Sequence, residues 1–159
     1  MAYGVKMSLG RDPVLMQMLP DGRRLNLRHG PIDLIVEVMG SPAEVEAANE
    51  QARAVFPDVL GELAGELSQL RRPADTPGLI ASGPIARGMI TVAKEFAHIE
   101  FVTPMVCVAG AVADYVLAAM VRDRNLDRAY VNNGGDIAVF LAPGQTYDVG
   151  VCADITSGA

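Results

Sequence analysis

Val131-Asn-Asn-Gly-Gly-Asp-Ile-Ala-Val139 reads as a strand, a break and a second strand. A hairpin needs only one Asn-Gly or Gly-Gly pair to turn, so two amides and a carboxylate in the break exceed what turning requires. Either they cap free backbone groups, or the glycines admit a ligand ring close to the backbone while Asn133 and Asp136 offer donor and acceptor groups to its edge. Working outward, LDRAYVNN enters the break and IAVFLA leaves it. Pro143-Gly144-Gln145 then turns the chain into YDVGVCA, expected as a third antiparallel strand.

Upstream, Thr103-Pro104-Met105 opens a helix that is expected to run to Asn125 as its C-cap. Within it Ala109-Gly110-Ala111 and Ala113 leave almost no side chain over a full turn. A glycine inside a helix costs about 1 kcal/mol relative to alanine, so some close approach should offset it. Two partners need that room, another element of the protein or of a second subunit, or a flat ligand. The first N–H groups of this helix lack intrahelical partners and can receive a phosphate or carboxylate, although Thr103 is equally readable as an N-cap alone.

The first half supplies the remaining elements. VLMQML, the turn Pro20-Asp21-Gly22 and RRLNLR predict two strands, and IDLIVEVMG places Ile32, Leu34, Val36 and Val38 on one face of a third. Ser41-Pro-Ala-Glu44 is a capping-box pattern that starts a helix with Val45, Ala48, Ala52 and Val55/Phe56 on its apolar stripe. Pro57 is expected to block or kink it, with a second helix carrying Val59, Leu60, Leu63, Leu67 and Leu70. RRPADTPGLIASG at 71–83 is a linker, and a helix capped by Ser82 follows from Pro84 to about His98. The sum is an α+β domain, a β-meander packed on helices.

The 159 residues fit one domain, and the apolar half of the composition suffices for a core. A net charge of −6 and a pI near 4.8 leave no Lys/Arg patch for nucleic acid or an anionic membrane surface. No signal peptide and no membrane span is expected, so a cytoplasmic protein is the default. Cys107 and Cys152 lie in apolar runs without CxxC spacing and are expected as buried free thiols. His29 and His98 have no Ser or Cys nucleophile at a motif position, which argues against general-base roles.

The order TPMVCVAGAVADYV, about a helix length, then VNNGGDIAV resembles the bacterial and archaeal relatives of the ApbE flavin transferases. Their pattern is PM-x-x-VAGA-x-A-[ED] followed by ENGGDI or NGGDI. The resemblance is firm over residues 84–141 and weaker over the strand at 32–39 and the helix after it. It implies a T-fold-like antiparallel sheet packed against helices and a cleft for FAD, FMN or another flat ring. Thr103, Pro104 and Met105 would form the rim, Ala109, Gly110 and Asp114 the helix side, and Asn133, Gly134, Gly135 and Asp136 the turn side.

The chain departs from that family in two respects. Its Ala109-Gly110-Ala111 stretch lacks the family's Lys, and the later segment with the Mg²⁺ ligands has no counterpart before Ala159. The resemblance therefore implies a single domain, 1–159, that is incomplete at its C-terminal end, with Mg²⁺-dependent flavin transfer assigned only to an intact protein. Asp114 and Asp136 remain as possible metal-associated carboxylates. The alternative is a non-catalytic ligand-binding or assembly module, with the small-residue helix as a contact in a homo-oligomer.

Overall fold

The computed structural model describes residues 13–150. Five strands form one antiparallel sheet in sequence order: β1 (Leu15–Met18), β2 (Arg24–His29), β3 (Ile32–Gly40), β4 (Leu126–Asn133) and β5 (Asp136–Leu141). Between β3 and β4 the chain inserts α1 (Pro42–Leu70), α2 (Pro84–Phe96), a 3₁₀ turn (Pro104–Cys107) and α3 (Val108–Val121). The α+β class holds, and the helices pack on one face of the sheet.

Alternation in the strands creates that face. Leu25 and Leu27 of β2, Ile32, Leu34, Val36 and Val38 of β3, Ala129 and Val131 of β4 and Ala138 of β5 are all buried. Against them α1 sets Ala48, Ala52, Phe56 and Val59, and α3 sets Val112, Val116 and Met120, in one continuous cluster. At about 25 cal/mol per Å² of apolar surface, this layer contact is the principal favourable contribution to folding. The β1–β2 turn has Gly22 at φ 67, and Asp21 accepts from the N–H groups of Arg24 at 3.0 Å and Arg23 at 2.9 Å. These backbone bonds, joined by the Arg24 side chain, hold the Asp21 carboxyl well below the usual carboxylate range.

Several sequence expectations are corrected. Pro57 does not divide α1, which continues for 29 residues. The Ser41 hydroxyl caps it by accepting from Glu44 N at 3.4 Å, but Glu44 does not return the bond. Its Oε2 instead accepts from Asn125 N at 3.1 Å, so the expected C-cap residue of α3 is tied to the start of α1. The α-helical part of α3 begins at Val108 and ends at Val121, because residues 104–107 adopt the tighter 3₁₀ turn.

The cap of α2 also differs from expectation. Gly83, not Ser82, is the N-cap, and it has no side chain to bond. Two carboxylates one turn apart on α1 take that role: Glu66 Oε1 accepts from Ser82 N at 2.6 Å and Gly83 N at 3.0 Å, and Glu62 Oε1 from Ile85 N at 3.2 Å. A Cβ on Gly83 would run into the Glu62 carboxylate, which explains the glycine. Glu66→Ala is expected to destabilise the protein by about 1 kcal/mol, through lost charge-assisted bonds at the positive end of α2. Urea unfolding checks this, and an unchanged midpoint would show that solvent caps α2 equally well.

After β5 the chain turns at Pro143-Gly144, with Gly144 at φ 83, but residues 147–150 form no strand. The remainder of the expected third strand, with Cys152, lies outside the described residues. The reason lies on the outer sheet face. Arg128 donates to Thr146 O at 2.8 Å and sits 5.0 Å from the centroid of the Tyr147 ring, which meets Tyr130 edge-on at 6.0 Å. The chain is thereby drawn across the face of β4 instead of along β5. Beneath it Glu37, only 6% exposed, accepts from Arg23 Nη2 at 2.6 Å and Nε at 3.1 Å. Burial raises the phenol pKa of both Tyr130 and Tyr147.

Residues 104–121 also correct the expectation about membrane spans. This 18-residue run, with a mean hydropathy of 1.8, has the length and apolarity to cross a membrane. In the fold it packs against α1, α2, β4 and β5, with 39% of the run buried.

Candidate functional site

The β4–β5 turn and α3 lie against each other. Asn132 Oδ1 accepts from Gly135 N at 2.9 Å, and Gly134 and Gly135 adopt φ 63 and 113, so both glycines are required by backbone geometry. Asn133, paired with Asp136 across the turn, points the other way and donates from Nδ2 to Ala109 O at 3.1 Å. One residue on, a Cβ added to Gly110 would lie 4.0 Å from Asp136 Oδ2. The two motifs are thus in direct contact, and the expected slot between them is closed by their own atoms.

The open space lies to either side of α3. Towards α1 is a cavity of about 310 Å³ walled by Leu60, Leu63 and Leu67 of α1 and by Met105, Val108 and Ala109. Asn133 lines it too, and Arg71, the C-cap residue of α1, stands at the same cavity. Towards α2 is a groove of about 370 Å³ floored by Gly88, Gly110 and Ala111 and edged by Met89, Val92 and Asp114. The distribution follows from helical geometry: successive residues are about 100° apart, so Ala109 and Gly110 open onto different spaces.

The expected site residues therefore divide. Met105, Ala109 and Asn133 share the α1-side cavity, whereas Gly110 and Asp114 line the α2-side groove. Thr103 is half-buried without a capping bond, Pro104 is buried, and Gly134, Gly135 and Asp136 are exposed in the turn. The α1 residues were missed because Leu60, Leu63, Leu67 and Leu70 at helical spacing read as ordinary core. The available signal was Arg71 directly after that stripe, a cation ending an apolar wall.

Chemistry beyond binding has little support in these spaces. Cys107 Sγ contacts Pro104 O at 3.2 Å and Met89 O at 3.5 Å, and burial raises its pKa, which keeps it a thiol. Among the described residues no group of three His, Cys, Asp or Glu side chains is placed to hold a metal ion. Among the described residues His29 Nδ1 is buried without a partner, beside a separate depression that includes Asp58 and Glu62. No serine or cysteine lines that depression.

Comparison with known proteins corrects the expected kinship. No curated protein and no solved structure matches the chain. Residues 16–159 match the family described as AbpE bacteria, a different name from the ApbE relatives expected from the motifs, and the match shows no ApbE relationship. Because it spans almost the whole sequence, the chain belongs to the AbpE bacteria family.

Proposed function

We propose that the protein binds a small, flat, largely apolar ring ligand of the flavin or pterin kind in the α1–α3 cavity, within a cytoplasmic domain of T-fold-like architecture. The observation that carries this reading is the composition of the cavity wall: leucines, valines and a methionine on two helices, with the Asn133 amide among them. Its volume of about 310 Å³ is at the small end of the range for ligand sites, roughly 300 to 1,000 Å³. Asn133 Nδ2 is committed to Ala109 O, which fixes the amide and leaves Oδ1 able to accept from a ring N–H. Apolar faces with a hydrogen-bonding edge suit such a wall. The isoalloxazine of FAD or FMN has that character.

Purified protein is expected to quench riboflavin fluorescence saturably and to gain thermal stability with ligand concentration, since a ligand that binds only the folded form raises its apparent stability. Absence of quenching and of a shift with riboflavin, FMN and a pterin would remove the reading.

A second reading, a non-catalytic assembly module, draws on one observation. Val92, Phe96, Ile99, Phe101 and Val106, around the end of α2 and the 3₁₀ turn, are exposed, Phe101 at 80% and Val106 at 66%. Exposed large apolar side chains close together in the chain are candidates for an interaction surface. Light scattering separates the readings, because a homo-oligomer without flavin binding would favour the module.

A further inference from the structure

We propose that Arg71 makes the α1–α3 cavity selective for ligands carrying an anionic group such as a phosphate monoester, an inference that rests on the ring-binding reading above. Among the described residues Arg71 is the only charged one lining that cavity. Its guanidinium makes no hydrogen bond or ion pair among the described residues, which is also true of Arg28 and Arg122, but neither of those lines this cavity. Arg23 and Arg24 are paired with Glu37 and Asp21, Arg53 with Glu46 and Glu50, Arg124 with Glu44, and Arg72 donates to Gln69. Arg71 is exposed beside an apolar cavity and, among the described residues, has no carboxylate partner, so its guanidinium is open to an anionic group there.

Placement strengthens the argument. The cavity offers an apolar body to the ring and an amide, Asn133, on its α3 wall, while Arg71 stands at the end of α1. A guanidinium presents a planar fork that matches phosphate oxygens with two parallel bonds, and no other lining group competes for that role. The alternative use of Arg71 is to offset the negative end of the α1 dipole. That role would affect stability without distinguishing ligands.

Riboflavin and FMN differ only by the phosphate, so their affinities for the full chain isolate the contribution of Arg71. FMN is expected to bind about tenfold more tightly than riboflavin, with the preference shrinking as salt is raised. Arg71→Ala should erase the preference, with an unchanged urea midpoint as the control for an intact fold, and Arg71→Lys should restore part of it. Equal affinities in the native protein, or a preference that survives Arg71→Ala, would overturn the inference and leave the ring-binding reading standing. If neither flavin binds, both fail together.

Discussion

Ala109→Phe is expected to weaken riboflavin binding about hundredfold, close to 2.7 kcal/mol, whereas Gly110→Leu is expected to leave it within about threefold. The two residues are neighbours on α3, yet Ala109 faces the α1-side cavity and Gly110 the α2-side groove. A phenyl ring at 109 occupies the space a ligand ring needs, among leucines and valines that accept it, so the fold tolerates the change. At 110 an added Cβ meets only Asp136 Oδ2, at an ordinary contact distance of 4.0 Å, and leucine is the better helix former by up to about 1 kcal/mol. Fluorescence titration of both variants checks the pair. The reverse pattern, loss at 110 and retention at 109, would move the ligand to the α2 side and end the present assignment.

The sheet was legible because its residues obey one local rule. Ile32, Leu34, Val36 and Val38 alternate, and all four are buried on the face the alternation predicts. The turn glycines at 22, 134, 135 and 144 all take positive φ, as Gly-containing turns require. Where reading by local rule failed, a distant side chain had intervened. Ser82 lost its capping role to Glu66 and Glu62, whose bonds to Ser82 N and Ile85 N span 16 and 23 residues. Tyr147 left the expected strand because Arg128 holds the neighbouring carbonyl and covers its ring. No propensity scale contains either contact.

The site was legible in part for the same reason. That the VAGA helix and the NNGGD turn meet was expected from the resemblance to the ApbE relatives, a kinship the comparisons do not show, and the Asn133–Ala109 bond is that meeting. Which side of the helix is open was not readable. That depends on α1 continuing past Pro57, so that Leu60, Leu63 and Leu67 reach the start of α3. A sequence reading that ends a helix at proline removes the wall of the cavity before asking what it encloses.

Pro57→Ala is accordingly expected to raise the stability of the protein by about 2 kcal/mol and to lower its flavin affinity. A proline within a helix costs about 3 kcal/mol relative to alanine, because it cannot donate to the carbonyl four residues earlier, here Arg53, and its ring crowds that carbonyl. Against this, alanine gives the unfolded chain more freedom, a loss of roughly 0.4 to 1 kcal/mol, so the helix term wins. Pro57 is only half-buried while Phe56 beside it is fully enclosed, so little packing is lost with the ring. The predicted fall in affinity follows from position: the residue immediately precedes the turn that carries Val59, Leu60 and Leu63, and relaxing the helix there shifts the cavity wall relative to Asn133. Urea unfolding and riboflavin titration of the same variant measure both effects. A less stable variant would mean that the helix accommodates Pro57 without strain. A more stable variant with unchanged affinity would mean that the α1 wall is not held in place by the proline.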